Sequence, residues 1–101
     1  VVVYLHDKPV ACGCFKKYDQ NTIEIKRMFV SPEARGMGLA QTILRELELW
    51  AHDLGYSFSV LETLYKQKEA IALYQKTGYS IVDNYEPYVG LENSICMRKQ
   101  I

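Results

Sequence analysis

Arg35-Gly36-Met37-Gly38-Leu39-Ala40 stands where a β-branched stretch ending at Val30 gives way to an amphipathic helix. A glycine-bearing loop that opens a helix presents unpaired backbone N–H groups beside the positive end of the helix dipole, and that arrangement binds phosphate. Without side chains at Gly36 and Gly38, a pyrophosphate can approach the main chain closely. A lone G-x-G more often only makes a turn, so its neighbours decide its meaning. No G-K-[ST] follows the glycines and no acidic ribose-binding residue is identifiable, which argues against a nucleotide-binding loop.

Downstream of the loop, Ala40, Ile43, Leu44, Leu47, Trp50, Ala51 and Leu54 recur at helical spacing, which predicts a helix from about Met37 to Leu54 capped by Gly55. Upstream, Ile23 and Ile25 alternate with Glu24 and Lys26, so Thr22–Val30 reads as a strand with two different faces. Val1–Leu5 and Val10–Tyr18 form a hairpin around a turn at Asp7-Lys8-Pro9, and Asp19-Gln20-Asn21 turns the chain into the third strand. Past the helix, Ser57–Leu61 is a strand and Lys68–Thr77 a second helix closed by Gly78. Tyr79–Val82 and Ser94–Arg98 are two last strands, joined by a loop holding Tyr85, Pro87, Tyr88 and Gly90. The order β-β-β-α-β-α-β-β predicts an α/β (α+β) fold, a mixed sheet under helical cover.

A chain of 101 residues fits one domain, 1–101, and no linker or repeat divides it. Twelve basic and twelve acidic residues cancel, so nothing favours nucleic acid or a membrane surface as partner. No apolar run is long enough to span a bilayer and no signal peptide is visible, which points to the cytoplasm. Cys12, Cys14 and Cys96 are odd in number and lack C-x-x-C spacing, and His6 and His52 form no ligand pattern with them. Reduced thiols and no metal are expected.

Two motifs carry a resemblance to the GNAT acyl-CoA-dependent N-acetyltransferases. Arg35 to Ala40 fits the loop signature Q/R-x-x-G-x-G/A, preceded by a strand and Pro-containing turn at Met28-Phe29-Val30-Ser31-Pro32. The second helix resembles N-x-x-A-x-x-L-Y-x-x-x-G-F/Y through Ala70, Leu73, Tyr74, Gly78 and Tyr79, with Gln67 in place of Asn. The resemblance implies a mostly antiparallel sheet splayed at its centre, with acetyl-CoA bound at the splay. A complete member of the family has an additional strand and one or two helices before this hairpin; they are absent from this sequence, so the resemblance implies an N-terminally truncated domain. Backbone N–H groups of Met28, Phe29 and Val30 would pair with the pantetheine arm and face the developing oxyanion. Arg35, Gly36, Met37, Gly38, Leu39 and Ala40 would hold the pyrophosphate, and Tyr74 would protonate the departing thiolate.

The acceptor implied is a primary amine of a small molecule or peptide, attacking directly in a ternary complex. An alkyl amine arrives protonated, so a base should assist. Glu24 resembles the strand glutamate that serves some family members through water; a salt-bridged carboxylate beside Lys26 is the alternative, and Glu62 is the reserve candidate. Tyr65, Tyr85 and Tyr88 either line an amine pocket by cation–aromatic contact or cover the edge of the core. Edge strands of the family often pair across dimers, so a homodimer is an expectation of the resemblance. The other reading of the whole chain is a non-catalytic acyl-CoA-binding or sensing module.

Overall fold

The computed structural model describes residues Val1–Ile101. Its elements are β1 (Val2–Leu5), β2 (Lys8–Lys17), β3 (Thr22–Val30), a 3-10 turn (Pro32–Ala34), α1 (Leu39–Asp53), β4 (Phe58–Leu64), α2 (Lys68–Lys76), β5 (Ser80–Val82) and β6 (Ser94–Gln100). They form one six-stranded sheet in the order β1-β2-β3-β4-β6-β5, antiparallel except where β3 runs parallel to β4. The expected order of elements holds, with differences at the ends. The first hairpin turns at His6 and Asp7, both at positive φ, the two-residue geometry that matches strand twist. Pro9 therefore lies in β2 and not in the turn, opposite Tyr4 where the register shifts. The long helix starts at Leu39, not Met37, because Gly38 sits at φ 74 as its N-cap. β4 and β6 each outrun their expected ends, pairing with one another from Phe58–Gln100 to Leu64–Ser94.

Alternation along β3 assigns its two faces. Ile23 and Ile25 join Ile43, Leu44, Leu47 and Ala51 of α1, Leu61 of β4 and Met97 of β6 in one buried cluster, with Tyr74 and Tyr79 at its α2 end. Glu24 and Lys26 point to the opposite face. There the β5–β6 connection covers them.

The parallel seam is short. β3 and β4 pair only from Thr22–Phe58 to Glu24–Val60, although β3 continues to Val30 and β4 to Leu64. The cause lies on the other edge of β3. Cys14 pairs with Lys26 and Cys12 with Phe29, so Gly13 alone faces both Arg27 and Met28. That is a β-bulge, which bends the strand that carries it and here coincides with its departure from β4. Arg27 takes φ 58, a left-handed conformation costing a non-glycine residue roughly 1–2 kcal/mol.

Gly13 makes the bulge possible by leaving room for what crosses it. A methyl group there would overlap Met28 Sδ and stand 2.8 Å from Ile43 Cγ2. Gly13→Ala should therefore cost about 1–3 kcal/mol by overpacking. In a domain of this size that lowers Tm by about 4–8 °C per kcal/mol, measurable by calorimetry. An unchanged Tm would show that Met28 moves aside freely and that the bulge does not depend on glycine.

Candidate active site

The splay leaves β3 beyond Glu24 without a partner strand on its β4 side. Ser31 N–H donates to the Val10 carbonyl at 2.7 Å, so strand alternation turns the Val30 N–H towards the vacated edge. Beyond it, Arg35-Gly36-Met37-Gly38 leads into α1. Gly36 and Gly38 sit at φ 83 and 74, and no atom lies within 4 Å of where a Cβ would stand on either. The first turn of α1 carries no side-chain cap and no acidic residue. Its N–H groups are left to an outside acceptor, which is the donor set a phosphate requires.

A groove of about 510 Å³ follows these features. It is lined by Met28, Phe29 and Val30 on one side, by Arg35, Gly36, Gly38, Leu39 and Ala40 at the helix entry, and by Gln67, Leu73 and Tyr74 of the α2 segment on the other. Every residue expected to hold acyl-CoA is there but Met37, whose side chain is 55% exposed and lies outside the lining. Arg35 Nε donates to the Val30 carbonyl at 3.4 Å, a long bond that leaves its other nitrogens free.

A second cavity, about 390 Å³, occupies the mouth of the splay between Ile25–Met28 of β3 and Leu61–Thr63 of β4. Met28, Gln67, Ala70 and Tyr74 belong to both spaces, so Tyr74 stands where they meet. The Tyr74 ring is fixed from behind. It packs edge-on against Tyr79 with centroids 5.8 Å apart, and the Tyr79 N–H donates to the Tyr74 carbonyl at 2.9 Å. Tyr79 in turn pairs with the Ser59 hydroxyl at 2.7 Å and donates to Glu48 at 2.9 Å, while Lys99 holds the other Glu48 oxygen at 2.8 Å. Tyr74 is 7% exposed and its hydroxyl makes no hydrogen bond within the chain. Burial pushes its phenol above the ordinary value, so it stays protonated at neutral pH.

Glu24 is 2% exposed and lies one sheet face away, under the β5–β6 connection. The Tyr85 hydroxyl donates to its Oε2 at 2.8 Å, Lys26 Nζ lies 3.4 Å from the same oxygen, and Lys16 Nζ stands 3.6 Å from Oε1. Burial, then the hydrogen bond to Glu24, raises the Tyr85 phenol well above its usual range. Lys26 also donates to the Tyr88 hydroxyl at 2.6 Å, a bond that with the nearby Glu24 charge raises its ammonium pKa, and it sits 5.4 Å from that ring's centroid. Glu24 is thus the salt-bridged carboxylate of the alternative reading, and it lines neither the groove nor the splay cavity, which its neighbour Lys26 does line. Glu62 reaches the cavity directly and accepts from the Ser94 hydroxyl at 2.7 Å. Tyr65, by contrast, is an exposed residue beyond the end of β4, apart from Tyr85 and Tyr88.

Sequence reasoning missed the clamp on Glu24, because Tyr85 lies 61 residues away and no local spacing announces it. It also missed Arg27 as a cavity residue. A third hollow, about 540 Å³ between α1 and the end of β6, includes Arg45, Glu48, His52 and Lys99. None of the candidate catalytic or acyl-CoA-binding residues lies in it, and its carboxylate is already engaged by Tyr79 and Lys99. No helix is long and apolar enough to cross a membrane.

The family model described as acetyltransferase (GNAT) matches residues 1–79. An IAA acetyltransferase of Azospirillum brasilense is 38% identical over 78 residues, covering 77% of this chain and 51% of that protein. An uncharacterized N-acetyltransferase of Schizosaccharomyces pombe is 37% identical over 62 residues, 61% of this chain and 38% of its own length. The chain thus spans about half, or less, of these curated relatives. Among solved structures, a GNAT family acetyltransferase from Elizabethkingia anophelis with acetyl-CoA bound superposes with a TM-score of 0.85 at 20% identity, over 99% of this chain and 74% of that one. An IAA acetyltransferase from Bacillus cereus gives 0.86 at 20%, over 99% and 75%. At that identity the superpositions speak for the fold.

Proposed function

Since this chain belongs to the acetyltransferase (GNAT) family, we propose that it transfers an acetyl group from acetyl-CoA to a primary amine by direct attack in a ternary complex. The observation that carries the proposal is the position of Tyr74, a protonated phenol without an internal partner at the junction of the phosphate-type groove and the splay cavity. The residues present fit the cosubstrate: uncapped first-turn N–H groups, glycines with open space above them, and a free strand edge leading away. When bound there, acetyl-CoA supplies an activated thioester.

The chain's own groups supply the rest. The first turn of α1 and Arg35 take the pyrophosphate charge. The free N–H of Val30 lies on the edge where the pantetheine amides and carbonyl oxygen would run, an electrostatic arrangement made before the reaction starts. Glu24, held by Tyr85, accepts the amine proton through water, with Glu62, the carboxylate that lines the cavity, in reserve. Tyr74 gives its hydroxyl proton to the sulfur as the C–S bond breaks, and solvent returns it.

Calorimetric titration with acetyl-CoA, with NAD and ATP as controls, tests the first half. Micromolar acetyl-CoA affinity with silent controls is expected, and no binding would overturn the reading. Glu24→Gln keeps an acceptor for Tyr85 and should lower kcat/KM about 10–100-fold while sparing acetyl-CoA affinity. Binding without transfer to any amine would favour the non-catalytic acyl-CoA module.

A further inference from the structure

We propose that Arg27 selects the acceptor, and that the acceptor is an amine which also carries a carboxylate. The inference deepens the acetyl-transfer reading and rests on it. It starts from a backbone outlier. Arg27 is held at φ 58 at the apex of the β3 bulge, where glycine would sit without strain. Strained positions of this kind concentrate at functional sites, because the surrounding structure must over-determine them. The residue held there, Arg27, is exposed and is one of those lining the splay cavity.

The charges around that cavity are unevenly matched. Lys16 and Lys26 both face Glu24, and Lys26 additionally engages the Tyr88 hydroxyl and ring. Glu62, on the same wall, accepts one hydrogen bond from the neutral Ser94 hydroxyl and forms no salt bridge, so its negative charge is available to the ammonium end of an acceptor. Arg27 forms no salt bridge, whereas Lys8, Lys16, Lys26 and Lys99 each do. The unmatched cation is Arg27, with five donors in a planar fork, the shape that pairs with a carboxylate through two parallel hydrogen bonds.

Two further observations bear on the source of that carboxylate. Arg27 lines the splay cavity but not the groove at the α1 entry, so it lies on the acceptor side of Tyr74, away from the phosphate donors. The aromatic groups that might have caged a second ammonium are taken, Tyr88 by Lys26 and the Tyr85 hydroxyl by Glu24. A cavity of about 390 Å³ with an unpaired arginine suits an amino-acid-sized acceptor.

The test is acetyl transfer to glycine, leucine and phenylalanine, to their carboxamides, and to putrescine, in wild type and in Arg27→Gly. The acids should be preferred over their amides by about 10–100-fold in kcat/KM. Arg27→Gly should reduce that ratio to about threefold or less, leave acetyl-CoA affinity unchanged, and raise Tm because glycine relieves the strain. A merely structural arginine would give the rise in Tm and keep the ratio, and that result overturns the proposal. So does wild-type acetylation of carboxamides or putrescine as fast as of the acids. If acetyl-CoA binds but no amine is acetylated, the transfer reading itself has failed. In that event, titration of the CoA-loaded protein with N-acetylleucine and N-acetylleucinamide decides about Arg27: preference for the acid, lost in Arg27→Gly, upholds its role, and equal affinity ends it.

Discussion

Tyr74→Phe is expected to lower kcat for acetyl transfer about 100-fold and to leave acetyl-CoA affinity within about twofold, the signature of an interaction made only in the transition state. The substitution removes one oxygen and keeps the ring that packs edge-on against Tyr79. Since the hydroxyl has no partner in the chain, its removal orphans nothing, and Tm should hold. Burial raises the Tyr74 phenol. Its proton is therefore kept to higher pH than that of a free tyrosine, near 10, and the alkaline fall of kcat belongs above that value. The Phe variant should lack that limb. Rate measurements from pH 6 to 11 on both proteins would decide. An unchanged kcat would assign protonation of the thiolate to water and reduce Tyr74 to a packing residue.

Gly38→Asp should weaken acetyl-CoA binding by about 100-fold, whereas Gly38→Asn should weaken it several-fold at most. The pair separates electrostatics from shape. Gly38 is at φ 74, a conformation that Asn and Asp tolerate better than other side chains, and its Cβ would meet open space. Both variants should therefore fold. They differ in a single negative charge placed against the first-turn N–H groups, where no acidic residue now stands. Titration calorimetry at two salt concentrations reads the difference, which should shrink as salt screens the added charge. Equal losses in the two variants would mean that the groove excludes bulk and does not attract phosphate.

The parts of this protein that could be read from its sequence are those encoded within one or two turns of chain. The Arg35–Ala40 loop, the α1 stripe and the period-2 alternation of β3 all lie within local reach, and the structure bears them out except at Trp50 and Leu54, two members of the stripe that are exposed because the buried face of the helix narrows to Ala51 at that end. Pro9 misplaced the first turn, because a proline marks a break in pattern without saying on which side the reversal falls. The bulge had no legible signal in β3 itself, since arginine is not a residue that announces positive φ. Its counterpart is Gly13 across the strand pair, a glycine whose purpose appears only when Met28 and Ile43 are brought over it. The Tyr85–Glu24 and Ser94–Glu62 bonds join residues 61 and 32 positions apart, and only the completed sheet brings them together.

The three residue pairs between β3 and β4 have a consequence for how the native state opens. Counted as hydrogen-bonded ladders, the sheet is two smaller sheets, β1–β3 and β4–β6–β5, stitched at one end where the Ser57 and Phe58 amides reach the Asn21 carbonyl. Away from that stitch, the Glu48 carboxylate of α1 ties across to Tyr79 and Lys99 of the second half. Segments joined by so few bonds open as separate cooperative units, with amide exchange faster at their common boundary than in either ladder. A molecule lying along both lips of the splay would fasten the halves at the end the stitch leaves open, so that occupancy and cooperativity of unfolding rise together.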